Sequence, residues 1–165
     1  MSRYYAAIDP GYRTGGVAIV NGDWAEVHDL PVWTDGGVNT LELSHILNSV
    51  PVDFVIVEKQ GARPMQGVSS AFKLGVGYGQ ILGTLALLQL KYAEVTPGKW
   101  KKAASLPADK DGARRIATRT FPKLAAQLSR KKDEHRAEAL LMAGHAHMFD
   151  QQEKCSMLDL SLIHI

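Results

Sequence analysis

The sequence predicts a single α/β domain. Three observations carry that prediction. Five short apolar runs have strand character, helix-spaced apolar residues separate and follow them, and 165 residues suffice for one core without staples. The first run, Tyr5-Ala6-Ala7-Ile8, suits a strand buried on both faces. It ends in Asp9, where Pro10 and Gly11 cannot continue a paired strand. Gly15 and Gly16 let the chain turn, and residues 17–20 resume a second strand. Asn21-Gly22 is a tight-turn signal, so a third strand over residues 24–32 is expected antiparallel to the second.

Leu41, Leu43, Ile46, Leu47 and Val50 then follow helical spacing up to Pro51. His45 among them reads as a packed or partly exposed histidine rather than a ligand. Residues 52–57, VDFVIV, are a dense β-branched run expected as a central strand, and Glu58 at its end is a second acid at a strand terminus. A polar loop over residues 59–70 leads into a long helix, roughly residues 69–90. Its Gly75, Gly79 and Gly83 weaken the helix but leave room for another element to approach closely. A phosphate cradle at Gly75–Gly79 is disfavoured, because no strand precedes it and no Lys-Ser/Thr pair follows. Residues 92–95 form a short fifth strand. Thr96 and Pro97 open a helix through Lys102, a basic helix covers residues 109–121 up to Pro122, and a last helix runs from Glu134 to about Phe149. Ala137, Leu140, Leu141 and Ala143 supply its apolar side.

Residues 1–150 are thus read as the domain and 151–165 as a tail. The last six residues, Leu-Ser-Leu-Ile-His-Ile, look like an in-frame translated sequencing adaptor, so they and His164 are set aside from fold and site reasoning. A lone Cys155 excludes an intramolecular disulfide framework and a cysteine zinc site. No signal-peptide core follows Met1, and the longest apolar stretch, residues 81–90, is too short for a bilayer. A cytoplasmic protein with no membrane partner is expected. The net charge of +2 is unevenly spread: residues 99–132 carry eleven Lys/Arg against Asp109 and Asp111, a local +9, which leaves −7 for the remainder. A basic segment on an acidic body suits either a polyanion docked on one side or a pair of solvated amphipathic helices.

Asp9, Glu58 and Glu138 share a logic. Ends of neighbouring strands lie about 4.8 Å apart, so two carboxylates there repel unless a cation bridges them. A compact set of oxygen ligands suits Mg²⁺, and a pair of such ions can activate water and stabilise a leaving oxygen in phosphodiester hydrolysis. His135 lies three residues before Glu138, on the same helical face, and could ligate a metal or accept a proton. Taken singly, Asp9 would be a turn cap and His135 a surface residue at a helix start. Their company is what favours a site.

Ile8-Asp9-Pro10-Gly11 with Thr14-Gly15, Val57-Glu58, Thr96-Pro97 with Trp100-Lys101-Lys102 and Asp109-Lys110, and His135-Arg136-Ala137-Glu138-Ala139-Leu140 together resemble RuvC-type Holliday junction resolvases, the phage-like branch above all. The similarity runs in order from about Tyr4 to Ala146. It implies a ribonuclease H-like fold, a five-stranded mixed sheet flanked by helices. It also implies a homodimer that resolves four-way DNA junctions by paired nicks, using Mg²⁺ or Mn²⁺ at two ions per site and leaving 5′-phosphate and 3′-hydroxyl ends. Asp9, Glu58 and Glu138 match metal-binding carboxylates. His135 matches a position that is Asp or His in the family, with Asp133 and Glu134 as alternative ligands. Lys101, Lys102 and Lys110 match a block of DNA-backbone contacts, which Lys99, Arg114, Arg115 and Arg63 are expected to extend.

Two departures stand out. Glu138 replaces the usual Asp, and the loop after Glu58 lacks an aromatic wedge, leaving Arg63 or Met65 to open a junction. The rival readings are a related nuclease acting on RNA or on other branched or flap DNA, and a DNA-binding module without catalysis. An actin-like kinase, prompted by Asp-x-Gly, would need two such lobes.

Overall fold

The structure, a computed structural model, describes residues 2–109 and 111–150. Lys110 and the expected tail lie outside the described residues. Five strands form one sheet in the order β3-β2-β1-β4-β5: β1 Tyr4–Asp9, β2 Gly16–Asn21, β3 Trp24–Asp29, β4 Val52–Glu58 and β5 Tyr92–Val95. β1 pairs antiparallel with β2 and β2 with β3, whereas β4 runs parallel to both β1 and β5. The Asn21-Gly22 turn does make an antiparallel hairpin, with Gly22 at φ +58°.

Strand parity divides the core into two layers. Ala6, Ile8, Val17, Ile19, Val55 and Val57 face α1 (Thr40–Leu47) and α2 (Val68–Leu87). Ala7, Ala18, Val20, Phe54 and Ile56 face the other way. There they meet α3 (Pro97–Ala103), α4 (Gly112–Thr120) and α5 (Glu134–Gly144). Because side chains alternate along a strand, Asp9 shares the face of Ala7, and Glu58 shares that of Phe54 and Ile56. Both acids therefore look toward the α5 side.

α5 is buried nearly all round: Ala137, Ala139, Leu140, Leu141, Met142 and Ala143 are each 1% exposed or less. It is wedged between the sheet and α4 rather than lying on the surface. Its start is pinned three ways. A Cβ on Gly16 would stand 2.2 Å from the His135 carbonyl oxygen, so only glycine allows this approach of α5 to β2. Arg136 makes a two-pronged ion pair with Asp29 at the end of β3, at 2.7 and 2.9 Å. Asp133, buried, accepts the Arg130 backbone N–H at 2.9 Å and the Arg130 guanidinium at 2.8 Å. That guanidinium, by hydrogen bond above all, holds the Asp133 carboxyl below the usual range. Asp133→Ala is expected to destabilise the fold by about 1–2 kcal/mol in denaturant titrations, the scale of a lost helix-start cap.

Several boundaries differ from the sequence expectation. β3 ends at Asp29, and Val32 forms only an isolated bridge to Val38. α1 stops at Leu47, before Pro51, where the backbone N–H and hydroxyl of Ser49 both turn back to the Ile46 carbonyl. The last helix breaks after Gly144 and resumes as α6, His147–Asp150. At the break the His145 ring takes the Leu141 carbonyl at 2.8 Å, and the His145 backbone N–H shifts to Met142. Residues 122–128 and 131–133 form 3₁₀ turns. Gly75, Gly79 and Gly83 receive no close neighbour: nothing lies within 4 Å of where their Cβ atoms would stand. The room they leave on α2 is not filled by another described element of this chain. Among the described residues, no helix is long and apolar enough to cross a membrane.

Candidate active site

β1 and β4 are parallel neighbours in which Ile8 pairs with Val57, so Asp9 and Glu58 stand side by side at the strand ends. α5 crosses that end of the sheet and brings in His135 and, one turn later, Glu138. Asp9, His135 and Glu138 each offer a ligand atom, and these atoms all lie within 4.8 Å of one another. His135 Nδ1 is 2.5 Å from Asp9 Oδ2. Glu58 lies next to this trio but outside it. Its Oε2 accepts the Trp100 indole N–H at 2.6 Å, and its Oε1 accepts Gln60 Nε2 at 3.2 Å. Lys101 reaches Glu138 Oε1 at 3.1 Å.

The electrostatics follow from burial. Asp9 is 5% exposed and Glu58 8%. Removal from water pushes the Asp9 carboxyl above its usual range, against the opposing hydrogen bond to His135. Burial raises Glu58 too, and the neighbouring Asp9 charge adds to it. Glu138 is also raised by burial, against the pull of Lys101. The hydrogen bond to Asp9 raises His135 despite its partial burial. Burial works against the Lys101 charge, but Glu138, Glu58 and Asp9 together hold its pKa above the usual value. Three carboxylates held above their ordinary range around one histidine make a site short of positive charge. One lysine offsets only part of that. Oxygen donors with one imidazole nitrogen, gathered this closely, fit a divalent cation such as Mg²⁺ or Mn²⁺.

Two clefts flank the trio. One of about 310 Å³ lies on the Glu138 side, lined by Lys101, Pro107, Asp109 and Glu134 among others. The other, about 230 Å³, lies on the His135 side between Arg13, Thr14, Asp29 and Lys132. A larger cleft of about 560 Å³ around Trp24, Phe121 and Lys123 sits at the far end of β3, away from these groups.

The remaining expected site residues are more scattered. Lys99 and Lys102 are exposed on α3, whereas Lys101 is half-buried within the site. Arg115 pairs with Asp109 at 2.9 Å. Arg114 pairs with Asp111 and donates to the Ser129 carbonyl at 3.1 Å. Arg63 is exposed in the loop after β4, and Met65 there is fully exposed at φ +65°. Asp133 is committed to Arg130, while Glu134 lines the cleft beside Glu138. Sequence reasoning missed the supporting set: Trp100 and Gln60 on Glu58, Gly16 against His135, and the Asp29–Arg136 pair. Trp100 carried a signal, as the one large apolar residue among three lysines in a helix opened by Pro97.

No family model matches the sequence, and no curated protein matches it closely enough to be called a relative. Solved structures are similar in three dimensions. Thermus thermophilus RuvC in complex with a Holliday junction substrate superposes with a TM-score of 0.69 at 19% identity, covering 91% of this chain and 96% of that one. A further T. thermophilus RuvC structure gives 0.59 at 19% identity over 88% and 96%. The fowlpox virus resolvase, in complex with Holliday junction DNA, gives 0.52 at 16% identity over 91% and 99%. At these identities the likeness establishes architecture: the chain has the ribonuclease H-like α/β fold, in the form that RuvC has.

Proposed function

We propose that this chain is a divalent-metal-dependent endonuclease that resolves four-way DNA junctions by paired nicking, of the kind found in the phage-like branch of RuvC-type resolvases. One observation carries the reading: Asp9, His135 and Glu138 converge at the strand ends, with Glu58 alongside. They do so in the fold of proteins solved with junction DNA.

Asp9, Glu138 and His135 would hold the metal, with Glu58 at its edge. When bound, Mg²⁺ supplies polarisation of a phosphate oxygen and stabilisation of the leaving oxygen. Asp9 orients the imidazole. With Asp9 as acceptor, Nδ1 carries the proton, and the one lone pair left, on Nε2, would serve either as a nitrogen ligand to the metal or to take a proton from water attacking the phosphate in line. Lys101 places an ammonium against Glu138, where it meets the charge of an incoming phosphodiester. The two flanking clefts leave room for the strand on either side of the reacting phosphate. In this reading hydrolysis releases a 5′-phosphate and a 3′-hydroxyl, as the resemblance to RuvC-type resolvases implies.

Cleavage of a four-way junction, a linear duplex, a flap and an RNA–DNA hybrid under one Mg²⁺ condition tests the assignment. Symmetric nicks confined to the junction are the expected result. Preferred cutting of the hybrid or flap would move the protein to the related-nuclease reading, and junction binding without cutting in any metal would leave a binding module.

Lys99 and Lys102 act through phosphate charge in this reading, so the pair Lys99→Gln and Lys102→Gln is expected to weaken junction and duplex binding alike. The slope of log affinity against log salt should drop by about 2, roughly 0.9 per phosphate contact. Unchanged slopes would remove these lysines from the interface.

A homodimer accounts for the outer face of α2. Val68 (87% exposed), Phe72 (72%) and Leu87 (87%) lie on this helix, whose glycines at 75, 79 and 83 have open space beside them. Such a face admits an identical helix at short distance. Gly79→Arg, at a position where an added Cβ meets nothing within 4 Å among the described residues, is expected to yield monomers in sedimentation velocity where the unaltered protein sediments as a dimer. A variant still dimeric would place the interface elsewhere.

A further inference from the structure

We infer that Trp100 is the positioning residue for Glu58, and that α3 sets the separation of Glu58 from Glu138 through two consecutive side chains. This rests on the metal-dependent reading above.

Glu58 is the last residue of β4, and nothing in the strand itself fixes its three side-chain torsions. The fixing comes from outside. The Trp100 indole is fully buried, and a buried indole N–H has to find an acceptor. It finds Glu58 Oε2 at 2.6 Å, while Gln60 holds the other oxygen at 3.2 Å. Both donors are neutral. A carboxylate has about four acceptor sites, and two remain open after these bonds. An arginine or lysine here would have competed with a cation for the charge of Glu58. An indole and an amide orient the group and leave its charge unspent.

The next residue turns the other way. Lys101 Nζ reaches Glu138 Oε1 at 3.1 Å and lies 5.3 Å from the centre of the Trp100 ring. A continuous line therefore runs Glu58–Trp100–Lys101–Glu138, joining the end of β4 to α5 through a seven-residue helix. Pro97 at the start of that helix and Trp100 in the core give the line a rigid base. Two carboxylates from separate elements, the end of β4 and α5, are thereby set by one short element.

Trp100→Phe keeps an aromatic ring in the core and under the Lys101 ammonium, and removes only the N–H donor. Calorimetric titration of the variant with Mn²⁺ is expected to show affinity about 10- to 100-fold weaker than wild type, the usual scale for a lost partner of a metal ligand. Ala104→Gly loosens the same side of α3 without touching Glu58, and its Mn²⁺ affinity should stay at the wild-type value. A second measurement needs no substitution in the core. The indole N–H resonance of Trp100, distinct from those of exposed Trp24 and Trp33, should shift saturably as Mg²⁺ is added, and Glu58→Gln should abolish that shift. Wild-type Mn²⁺ affinity in Trp100→Phe, equal losses in both variants, or an indole resonance indifferent to Mg²⁺ would overturn the inference while leaving the nuclease reading standing. A wild-type protein that binds no Mn²⁺ would overturn both.

Discussion

Asp9→Asn is expected to bind a four-way junction as the unaltered protein does and to cut it at least about 10³-fold more slowly, the scale of loss when an essential catalytic group is removed. The asparagine fills the same space, and its amide oxygen can still accept the Nδ1–H of His135, so the pair survives in shape. What disappears is the negative charge at the centre of the trio. Single-turnover cleavage and gel-shift binding on the same preparation read the two effects separately. Nicking at the wild-type rate would remove Asp9 from the chemistry.

The same substitution has a stability signature of known sign. Asp9, Glu58, Glu138 and His135 all hold their protons more tightly than their ordinary values of 3.8, 4.5, 4.5 and 6.5. Each therefore stabilises the fold below its unfolded pKa and loses that contribution as pH rises through its raised folded pKa. Metal-free protein should accordingly lose thermal stability as pH rises, the carboxylates acting from above about 4 and His135 from above about 6.5. Asp9→Asn should flatten the carboxylate part of that fall and leave the metal-free protein at least as stable at neutral pH. Added Mg²⁺ should restore stability to wild type, by about 2.7 kcal/mol at a hundredfold excess over its dissociation constant. An unchanged pH slope in the variant would show that Asp9 is not held as its burial implies.

Gly16→Ala is expected to be nearly as damaging, through position alone. Gly16 pairs with Asp9 across β1 and β2, and its missing Cβ is the space that the His135 carbonyl occupies. One methyl group must push the first turn of α5 outward, taking His135 from Asp9 and straining the Arg136–Asp29 pair. A misplacement of about 1 Å in a catalytic group lowers rates by about 10²-fold. Overpacking should also destabilise the fold by about 1–3 kcal/mol. Cleavage kinetics measured at a temperature where the variant remains folded separate these effects. A variant with wild-type rate and stability would show that α5 does not need this contact.

Much of the arrangement was legible in the residues. The five strands were readable because their apolar runs end at strong punctuation, such as Pro10-Gly11, Asn21-Gly22 and Glu58. The proximity of Asp9 and Glu58 was readable from two acids closing two strands, and strand parity explains why both point to α5. Other features depended on contacts made far along the chain. Nothing local to Gly16 announces the His135 carbonyl, and nothing around Asp29 names Arg136 as its partner. The break at Gly144 comes from the His145 ring taking a helix carbonyl, a competition invisible to apolar periodicity. The α2 glycines were read as making room for a neighbour, and that neighbour is not among the described elements of the chain. Lys101, matched by resemblance to the DNA-backbone contacts, is drawn by folding into the carboxylate cluster. Its neighbour Trp100 enters the sequence reading only as part of a motif block, and nothing local announces that its N–H faces Glu58.

The most direct measurement is anomalous diffraction at the manganese edge from crystals of the protein soaked in Mn²⁺. The account predicts a peak bonded to Asp9 and Glu138, with His135 or Glu58 completing the protein ligands. Saturating Mn²⁺ with no peak at that position, in crystals where Asp9, His135 and Glu138 remain free of lattice contacts, would contradict it.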